Sequence, residues 1–198
     1  MKYINQLDYP HLPYYTDTAN PDKTEEEKLR TVAKSGCGLA CASMMIDQLT
    51  DKELKIEDCV KLSEECGANR TLGVSMKIFA SVLSEKFGVD YSFSNDLSEA
   101  IEALRSGAHI IAVVKANQET GVGLFTDTGH FISLISTDGK EFCILDPSYK
   151  PEKYERQDRK EKIDTSHAPY LYCDVNILHG ETTKKENGIK YYIFQRKR

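Results

Sequence analysis

The sequence contains no apolar run close to the roughly 20 residues that a helix needs to cross a bilayer, which excludes a transmembrane helix. It also has no excess of positive charge: the formal net charge is −5, which argues against a nucleic-acid partner. Residues 1–15 carry Gln6, Asp8 and two prolines where a signal peptide would have an apolar core. We therefore expect a cytoplasmic protein, unless Met1 takes the place of a trimmed signal peptide.

Motifs for nucleotides and metals are also missing. No Gly-x4-Gly-Lys-Ser/Thr loop is present, and Gly121-Val122-Gly123 lacks the third glycine of a dinucleotide loop. Cys37, Cys41 and His130 could together bind zinc, but no second Cys-x2-Cys or His-x3-His pair completes four ligands. The three residues between Cys37 and Cys41 depart from the Cys-x-x-Cys spacing of redox motifs. We expect no cofactor and no metal.

The six cysteines do not have the spacing of a disulfide-stapled scaffold, because most of them lie inside segments of regular apolar periodicity. A chain of 198 residues can bury about 70% of the surface that it would expose unfolded, so it needs no disulfide to fold. We interpret four of the six as buried reduced thiols, which indicates a reducing compartment: Cys59, Cys66, Cys143 and Cys173.

The order of the predicted elements indicates an α+β fold in a single domain over residues 1–198, with helices first and an antiparallel sheet second. Residues 1–23 should form an extended arm, residues 24–107 a helical lobe, and residues 108–198 the sheet on which that lobe packs. Spacing and capping signals predict helices over 24–34, 37–50, 56–66, 75–87 and 97–105. Apolar, β-branched or alternating runs predict strands over 89–93, 110–114, 131–136, 142–145, 170–178 and 189–195, whereas residues 147–168 are charged and turn-forming.

Cys37 lies between two glycines at the start of the helix predicted over 37–50. The first turn of a helix has unpaired N–H groups and the positive end of the helix dipole, and both favour a thiolate over a thiol. The thiolate is the nucleophilic form, so this position suits an enzyme that attacks carbonyl groups. Cys37 is therefore the candidate nucleophile, whereas Cys41, one turn later, should mainly stabilise the fold.

His130 and Asp146 lie at the open end of a predicted hairpin. Thr137-Asp138-Gly139-Lys140 is a strong turn signal between the strands over 131–136 and 142–145. Antiparallel pairing of these strands should make His130 and Asp146 cross-strand neighbours, with Cβ atoms about 5 Å apart. An imidazole and a carboxylate at that separation can form a hydrogen bond, which would hold the ring in the orientation of a general base. Each residue alone has an ordinary structural role, but a cysteine, a histidine and an aspartate in this pattern favour catalysis.

Four short motifs, in order over residues 4–149, resemble those of the C39-like peptidases, a papain-like branch of the bacterial cysteine peptidases. They are Ile4-Asn5-Gln6-Leu7-Asp8-Tyr9-Pro10, Thr31-Val32-Ala33-Lys34-Ser35-Gly36-Cys37-Gly38, Gly129-His130-Phe131-Ile132 and Leu145-Asp146-Pro147. The run from Cys37 to Cys41 is also similar to that of peptidases that trim double-glycine leaders. This resemblance implies a papain-like fold and a thiol protease that hydrolyses a peptide or amide bond of a peptide or protein substrate.

The resemblance also implies a role for each matching residue. Cys37 would be the nucleophile, His130 the general base and acid, and Asp146 the residue that orients His130. Gln6 would donate its side-chain amide to the oxyanion, together with the backbone N–H of Cys37. Two departures from the family pattern concern this site. Leu39 stands where many relatives have proline, and Gln6 lies 31 residues before Cys37, farther than in the leader peptidases.

Two further functions remain open at the level of sequence. One is a catalytically silent peptide-binding module, and the other is an acyl or amide transferase that passes the thioester to an amine instead of water. A thiol at a helix start beside an imidazolium should have a low pKa, and its thiolate should raise the pKa of His130 in return. A Cys37 that reacts only at alkaline pH would favour the silent module.

Overall fold

An antiparallel sheet of seven strands forms the centre of the computed structural model, which describes residues 2–15, 22, 24, 29–70, 73–116, 123–182 and 188–197. The strands in chain order are β1 (Pro13–Tyr15), β2 (Leu29–Thr31), β3 (Asn69–Arg70), β4 (Gly73–Val74), β5 (Val89–Ser94), β6 (His109–Lys115), β7 (Gly129–Thr137), β8 (Glu141–Leu145), β9 (Ile163–His167), β10 (Tyr170–Asp174) and β11 (Tyr191–Arg196). Their order across the large sheet is β5-β11-β6-β7-β8-β10-β9. The short strands pair as β1 with β2 and β3 with β4.

The helices surround this sheet. In chain order they are α1 (Val32–Ser35), α2 (Cys37–Leu49), α3 (Ile56–Glu65), α4 (Met76–Phe87), α5 (Leu97–Arg105), α6 (Pro151–Tyr154), α7 (Gln157–Lys160) and α8 (Val175–Glu181), and a 3-10 turn covers Gln6–Asp8. Within the described ranges, no helix has both the length and the apolar character needed to cross a membrane.

Apolar side chains cover both faces of the large sheet, because successive residues of a strand point to opposite faces. On one face, Ile111, Val113 and Phe131 pack against α2, α3 and α4. On the other face, Ile110 and Ile132 belong to a second cluster, which includes residues of α5 and α8. The sheet is therefore the middle of three layers, and α2 lies directly against it.

Helix α2 is buried on all sides over its first ten residues, 37–46. A helix that is apolar all round is typical of a protein core, and this one lies between the sheet and α3. Gly38 makes close packing at its start possible. An added Cβ there would collide with the side chain of Val74 and lie 3.1 Å from Phe131. The start of α2 is thus held against β7.

Four predicted helices are confirmed, with bounds that differ by one residue or less from α2, α3, α4 and α5. The helix predicted over 24–34 is wrong over residues 29–31, because Leu29–Thr31 is a strand, whereas residues 32–34 lie in the helix Val32–Ser35. Backbone pairing with Pro13–Tyr15 of the arm supplies the reason, since a partner strand distant in sequence overrides a weak local helix signal. Residues 25–28 lie outside the described residues.

The strand predicted over 170–178 is also partly wrong, because β10 ends at Asp174 and α8 begins at Val175. The side chain of Asp174 accepts hydrogen bonds from the N–H groups of Asn176 and Ile177, so it caps the helix and ends the strand. Residues 147–168, predicted to be turns, include α6, α7 and β9.

The predicted separation of a helical lobe from a sheet lobe differs from the observed layers in two places. Strand β5 falls in the predicted helical lobe but pairs with β11 at one edge of the large sheet. Helix α5 packs on the opposite face of the sheet from α2. Both differences follow from chain order. Residues 88–107 first form the edge strand β5 and then cross the face of the sheet opposite α2 as α5, before the chain enters the sheet as β6.

Candidate functional site

Cys37 is the first residue of α2, and its side chain is 8% exposed. It follows Gly36, the residue that caps the helix, so the thiol lies beside the unpaired N–H groups of the first turn. The backbone N–H groups of Gly38 and Phe131 both interact with the sulfur, the second from strand β7. The packing of α2 against β7 therefore brings the thiol to the strand that carries His130.

His130 and Asp146 are joined by a hydrogen bond of 2.7 Å between Nε2 and Oδ1. They are diagonal neighbours and do not lie directly opposite. Ser133 pairs with Leu145, so the position opposite Asp146 is that of Ile132, two residues from His130. The turn signal over 137–140 thus predicts the right two strands but the wrong offset.

A bulge in β7 sets this offset. Near the turn, Ser136 pairs with Cys143, whereas beyond the bulge Leu134 pairs with Ile144, so Ile135 is the extra residue. If Ile135 were paired regularly, the pairing near the turn would continue and place Ser133 opposite Asp146, with His130 on the other face of the sheet. The bulge therefore puts the imidazole and the carboxylate on the same face.

Asp146 is fully buried, and each of its carboxylate oxygens has several partners. Besides His130, Oδ1 accepts hydrogen bonds from the backbone N–H and the hydroxyl of Ser148, at 2.9 and 3.1 Å. Oδ2 accepts from Nζ of Lys153 and from the hydroxyl of Tyr154, both at 2.5 Å. Burial alone would raise the pKa of Asp146, but the charges of His130 and Lys153 outweigh it and hold that pKa well below its usual range.

The imidazole of His130 is hydrogen-bonded to Asp146 and also interacts with the thiol of Cys37. Since Asp146 holds Nε2, the nitrogen that can face the thiol is Nδ1. Burial lowers the pKa of His130, but the charge and hydrogen bond of Asp146, followed by those of Cys37, raise it to about 9. At neutral pH the ring is therefore an imidazolium.

The pKa of the Cys37 thiol changes in the opposite direction to that of His130. Burial raises the pKa of Cys37, but the hydrogen bond and charge of His130 and the nearby backbone N–H groups outweigh burial and lower it. Cys41, one turn along α2, is fully buried, and burial raises its pKa well above the usual value. The surroundings of the two thiols thus move their pKa values in opposite directions.

Gln6 lies near this group but has backbone partners. Its side-chain nitrogen donates to the carbonyl of Ala33 at 2.8 Å, and its backbone N–H donates to the carbonyl of Pro147 at 2.7 Å. Its side-chain oxygen is buried and has no hydrogen-bond partner among the described residues. The structure therefore brings Gln6 beside the segments that precede Cys37 and follow Asp146.

Three residues around Asp146 were missed by the sequence analysis: Ser148, Lys153 and Tyr154. They lie in the segment 147–168, which has no apolar periodicity, so pattern reasoning assigns them to turns. One local signal was available, because Pro151 at the first position of α6 is typical of a helix start and predicts a helical turn that carries Lys153 and Tyr154.

A small cleft of about 280 Å³ opens beside His130. Besides His130 it is lined by Phe125, Thr126, Asp127, Ser148, Lys153 and Arg159. The His130 side chain is only 7% exposed. Access to the ring is therefore narrow.

His109 is fully buried, and both of its ring nitrogens have polar partners. Its Nδ1 lies 2.7 Å from the Gln48 side-chain oxygen and its Nε2 lies 2.9 Å from the Ser133 hydroxyl. Burial lowers the pKa of His109 to about 3, so the ring is neutral. The predicted buried thiols Cys59, Cys143 and Cys173 are confirmed, whereas Cys66 is half-buried; all six cysteines are free.

Comparison with known proteins supports the architecture. No family model matches the chain, and no curated protein matches it. Among solved structures, the chain is similar to a protein of Bacillus anthracis that is provisionally classed as a C39-like peptidase, with a TM-score of 0.56. The two sequences are 11% identical, and the match covers 96% of this chain and 97% of that one. At this identity the likeness concerns the fold alone, a mixed α/β arrangement compatible with a C39-like peptidase.

Proposed function

We propose that this protein is a C39-like cysteine peptidase with a papain-like arrangement of its site, in which Cys37 is the nucleophile, His130 the general base and acid, and Asp146 the residue that orients His130. The observation that carries the proposal is the 2.7 Å hydrogen bond between His130 and Asp146, together with the interaction of the same imidazole with the Cys37 thiol at the start of α2. Its charges agree with that role, because the pKa of Cys37 is lowered and that of His130 is raised.

In this mechanism the Cys37 thiolate attacks the carbonyl carbon of the scissile peptide bond, and the carbonyl oxygen becomes an oxyanion. His130 gives its proton to the leaving amine as the carbon–nitrogen bond breaks, which leaves a thioester on Cys37. His130 then takes a proton from water, and the hydroxide attacks the thioester. The acid product leaves, and the thiolate–imidazolium pair is restored.

The oxyanion needs hydrogen-bond donors in place before the reaction begins. We assign one to the backbone N–H of Cys37, which belongs to the first turn of α2 and has no partner within the helix. The second is the side-chain amide of Gln6, because only one of its two N–H groups is needed for the bond to Ala33. Gln6→Glu should lower kcat, since it replaces the donor by a carboxylate of the same size.

A set of peptide electrophiles of varied sequence, followed by mapping of the modified residue, tests the nucleophile directly. We expect modification at Cys37 alone. Cys37→Ser should abolish both labelling and peptide hydrolysis, whereas Cys41→Ala, the matched control in the same helix, should keep them and mainly lower stability. Equal loss in the two variants would contradict the assignment, and a folded protein that no electrophile labels would favour a silent peptide-binding module.

Acyl or amide transfer is a second candidate, which the near enclosure of the site favours. Cys37 is 8% exposed and the His130 side chain 7%, so little water reaches the thioester. Adding hydroxylamine or a peptide amine to the hydrolysis reaction separates the two activities. A peptidase should form mainly the free acid, whereas a transferase should form mainly the new amide or hydroxamate.

A further inference from the structure

Lys153 is a buried cation in direct contact with the carboxylate that holds His130. Its Nζ donates to Oδ2 of Asp146 at 2.5 Å and to the hydroxyl of Ser148 at 2.8 Å. Ser148 in turn donates to Oδ1 of the same carboxylate, so Lys153, Ser148 and Asp146 form a closed ring of hydrogen bonds. The ammonium side chain is only 14% exposed, which limits screening by solvent.

The two oxygens of Asp146 have different partners. Oδ2 is occupied by Lys153 and Tyr154, whereas Oδ1 faces His130 and Ser148. A carboxylate held at both oxygens cannot rotate, so the direction of the bond to Nε2 is fixed before substrate arrives. Tyr154 supports Lys153 in this, because the ammonium also lies 5.4 Å from the centre of the Tyr154 ring.

We propose that Lys153 is a positioning residue of the candidate site, which fixes Asp146 towards His130 and sets the pH range in which the Cys37–His130 pair is charged. This inference rests on the proposed function. The carboxylate of Asp146 interacts with two cations, Lys153 and His130. It therefore stabilises the imidazolium of His130 less than it would if residue 153 carried no charge. The ammonium also favours the nearby thiolate. Both effects lower the pH at which the pair operates.

The other ionisable groups around this cluster do not replace Lys153. Tyr3 and Tyr154 contact Asp146, but burial raises the pKa of both phenols, so they stay neutral. Arg159 acts on Lys153 from α7, and its guanidinium is bound to the carboxylate of Asp127 at 2.6 Å. Among the described residues, Lys153 and His130 are therefore the cations that touch Asp146 directly.

The test replaces Lys153 by methionine, which keeps the length and apolar stem but removes the charge. The His130 pKa is read from the NMR chemical shift of its labelled imidazole across pH, which needs no turnover. We expect Lys153→Met to raise this pKa by about one unit and to move the pH optimum of Cys37 alkylation in the same direction. Lys153→Arg should keep both within a few tenths of a unit, and so should Lys150→Met, an exposed lysine three residues earlier.

A structural role alone would lower the thermal midpoint of Lys153→Met and leave the His130 pKa at its wild-type value, and that result would overturn the proposal. Lys153→Gln, which can still donate a hydrogen bond to Asp146, is the second uncharged variant and is judged by the same pKa shift if the methionine variant does not fold. If Lys153→Met shifts the His130 pKa but the wild-type protein hydrolyses no peptide, the role of Lys153 is supported and the proposed peptidase activity is refuted. If the wild-type protein hydrolyses peptides but the variant leaves the His130 pKa unshifted, the peptidase activity is supported and the role of Lys153 is refuted.

Discussion

Replacing Asp146 by asparagine should uncouple Cys37 from His130 with little change in the shape of the site. The two side chains have the same size, but the amide carries no charge and cannot stabilise an imidazolium as a carboxylate does. Asp146 is fully buried, so the lost charge is not replaced by solvent. The variant should therefore lose its imidazolium, and with it the charge that favours the Cys37 thiolate, at a lower pH than the wild-type protein.

The magnitude follows from the pKa of His130. Burial lowers that pKa, but Asp146 and then Cys37 bring the net value to about 9, against 6.5 for an unperturbed histidine. The difference corresponds to roughly 3 kcal/mol in favour of the imidazolium, at about 1.4 kcal/mol for each pKa unit. Because Asp146 contributes the largest favourable interactions, Asp146→Asn should lower the pKa of His130 by roughly one to two units.

The assay is the rate of Cys37 alkylation by iodoacetamide as a function of pH, with the modified peptide identified by mass. At about pH 8 the imidazole of the variant should be largely neutral, so Cys37 should react more slowly than in the wild-type protein by up to roughly 10- to 100-fold, and the profile should move towards alkaline pH. Asp51→Asn, an exposed carboxylate, is the matched control and should leave the profile unchanged. A folded Asp146→Asn protein with the wild-type profile would refute the reasoning.

Alkylation of wild-type Cys37 should persist to about pH 5, where a buried thiol such as Cys59 does not react. His130→Ala should move the alkylation of Cys37 to alkaline pH. If Cys37 reacts only above about pH 8 in both proteins, its pairing with His130 is contradicted. The folded-state pKa of His130 is the raised one, so its contribution to the free energy of unfolding should be complete below pH 6.5 and lost as the pH rises through about 9. Urea titrations should show this decline in the wild-type protein, and an equal decline in His130→Ala would count against it. Gly38→Ala should lower the free energy of unfolding by about 2 kcal/mol, because the added Cβ collides with Val74. The control is Gly180→Ala in α8, where no described residue lies within 4 Å of an added Cβ; equal losses would show that packing at Gly38 is not tight.

Local signals in the sequence are enough to predict where the candidate site lies. A glycine-flanked cysteine predicts the start of α2, and the turn over 137–140 predicts which two strands carry His130 and Asp146. These features depend on residues close together in the chain. For the same reason the four amphipathic or buried helices from α2 to α5 can be predicted to within a residue or two.

The contacts that hold Asp146 cannot be predicted in this way. Lys153 and Tyr154 lie on a single helical turn without apolar periodicity, and only the return of that turn over the end of β8 brings them to the carboxylate. The bulge at Ile135 has no sequence signature either, because no glycine or proline marks it. Strand β2 forms by pairing with a strand in the N-terminal arm, so the residues around 29–31 alone do not predict that this segment is a strand.

The extra residue in β7 decides which change of length the hairpin of His130 can accept. Deleting Ile135 would leave Leu134 opposite Ile144 and Ser136 opposite Cys143, so His130 and Asp146 would stay on one face of the sheet. A change that straightens the strand while keeping Ile135 would instead shift the register by one residue and turn the imidazole to the other face. Strand β7 is therefore one residue longer than regular pairing of this site requires, and the residue that it can lose is Ile135.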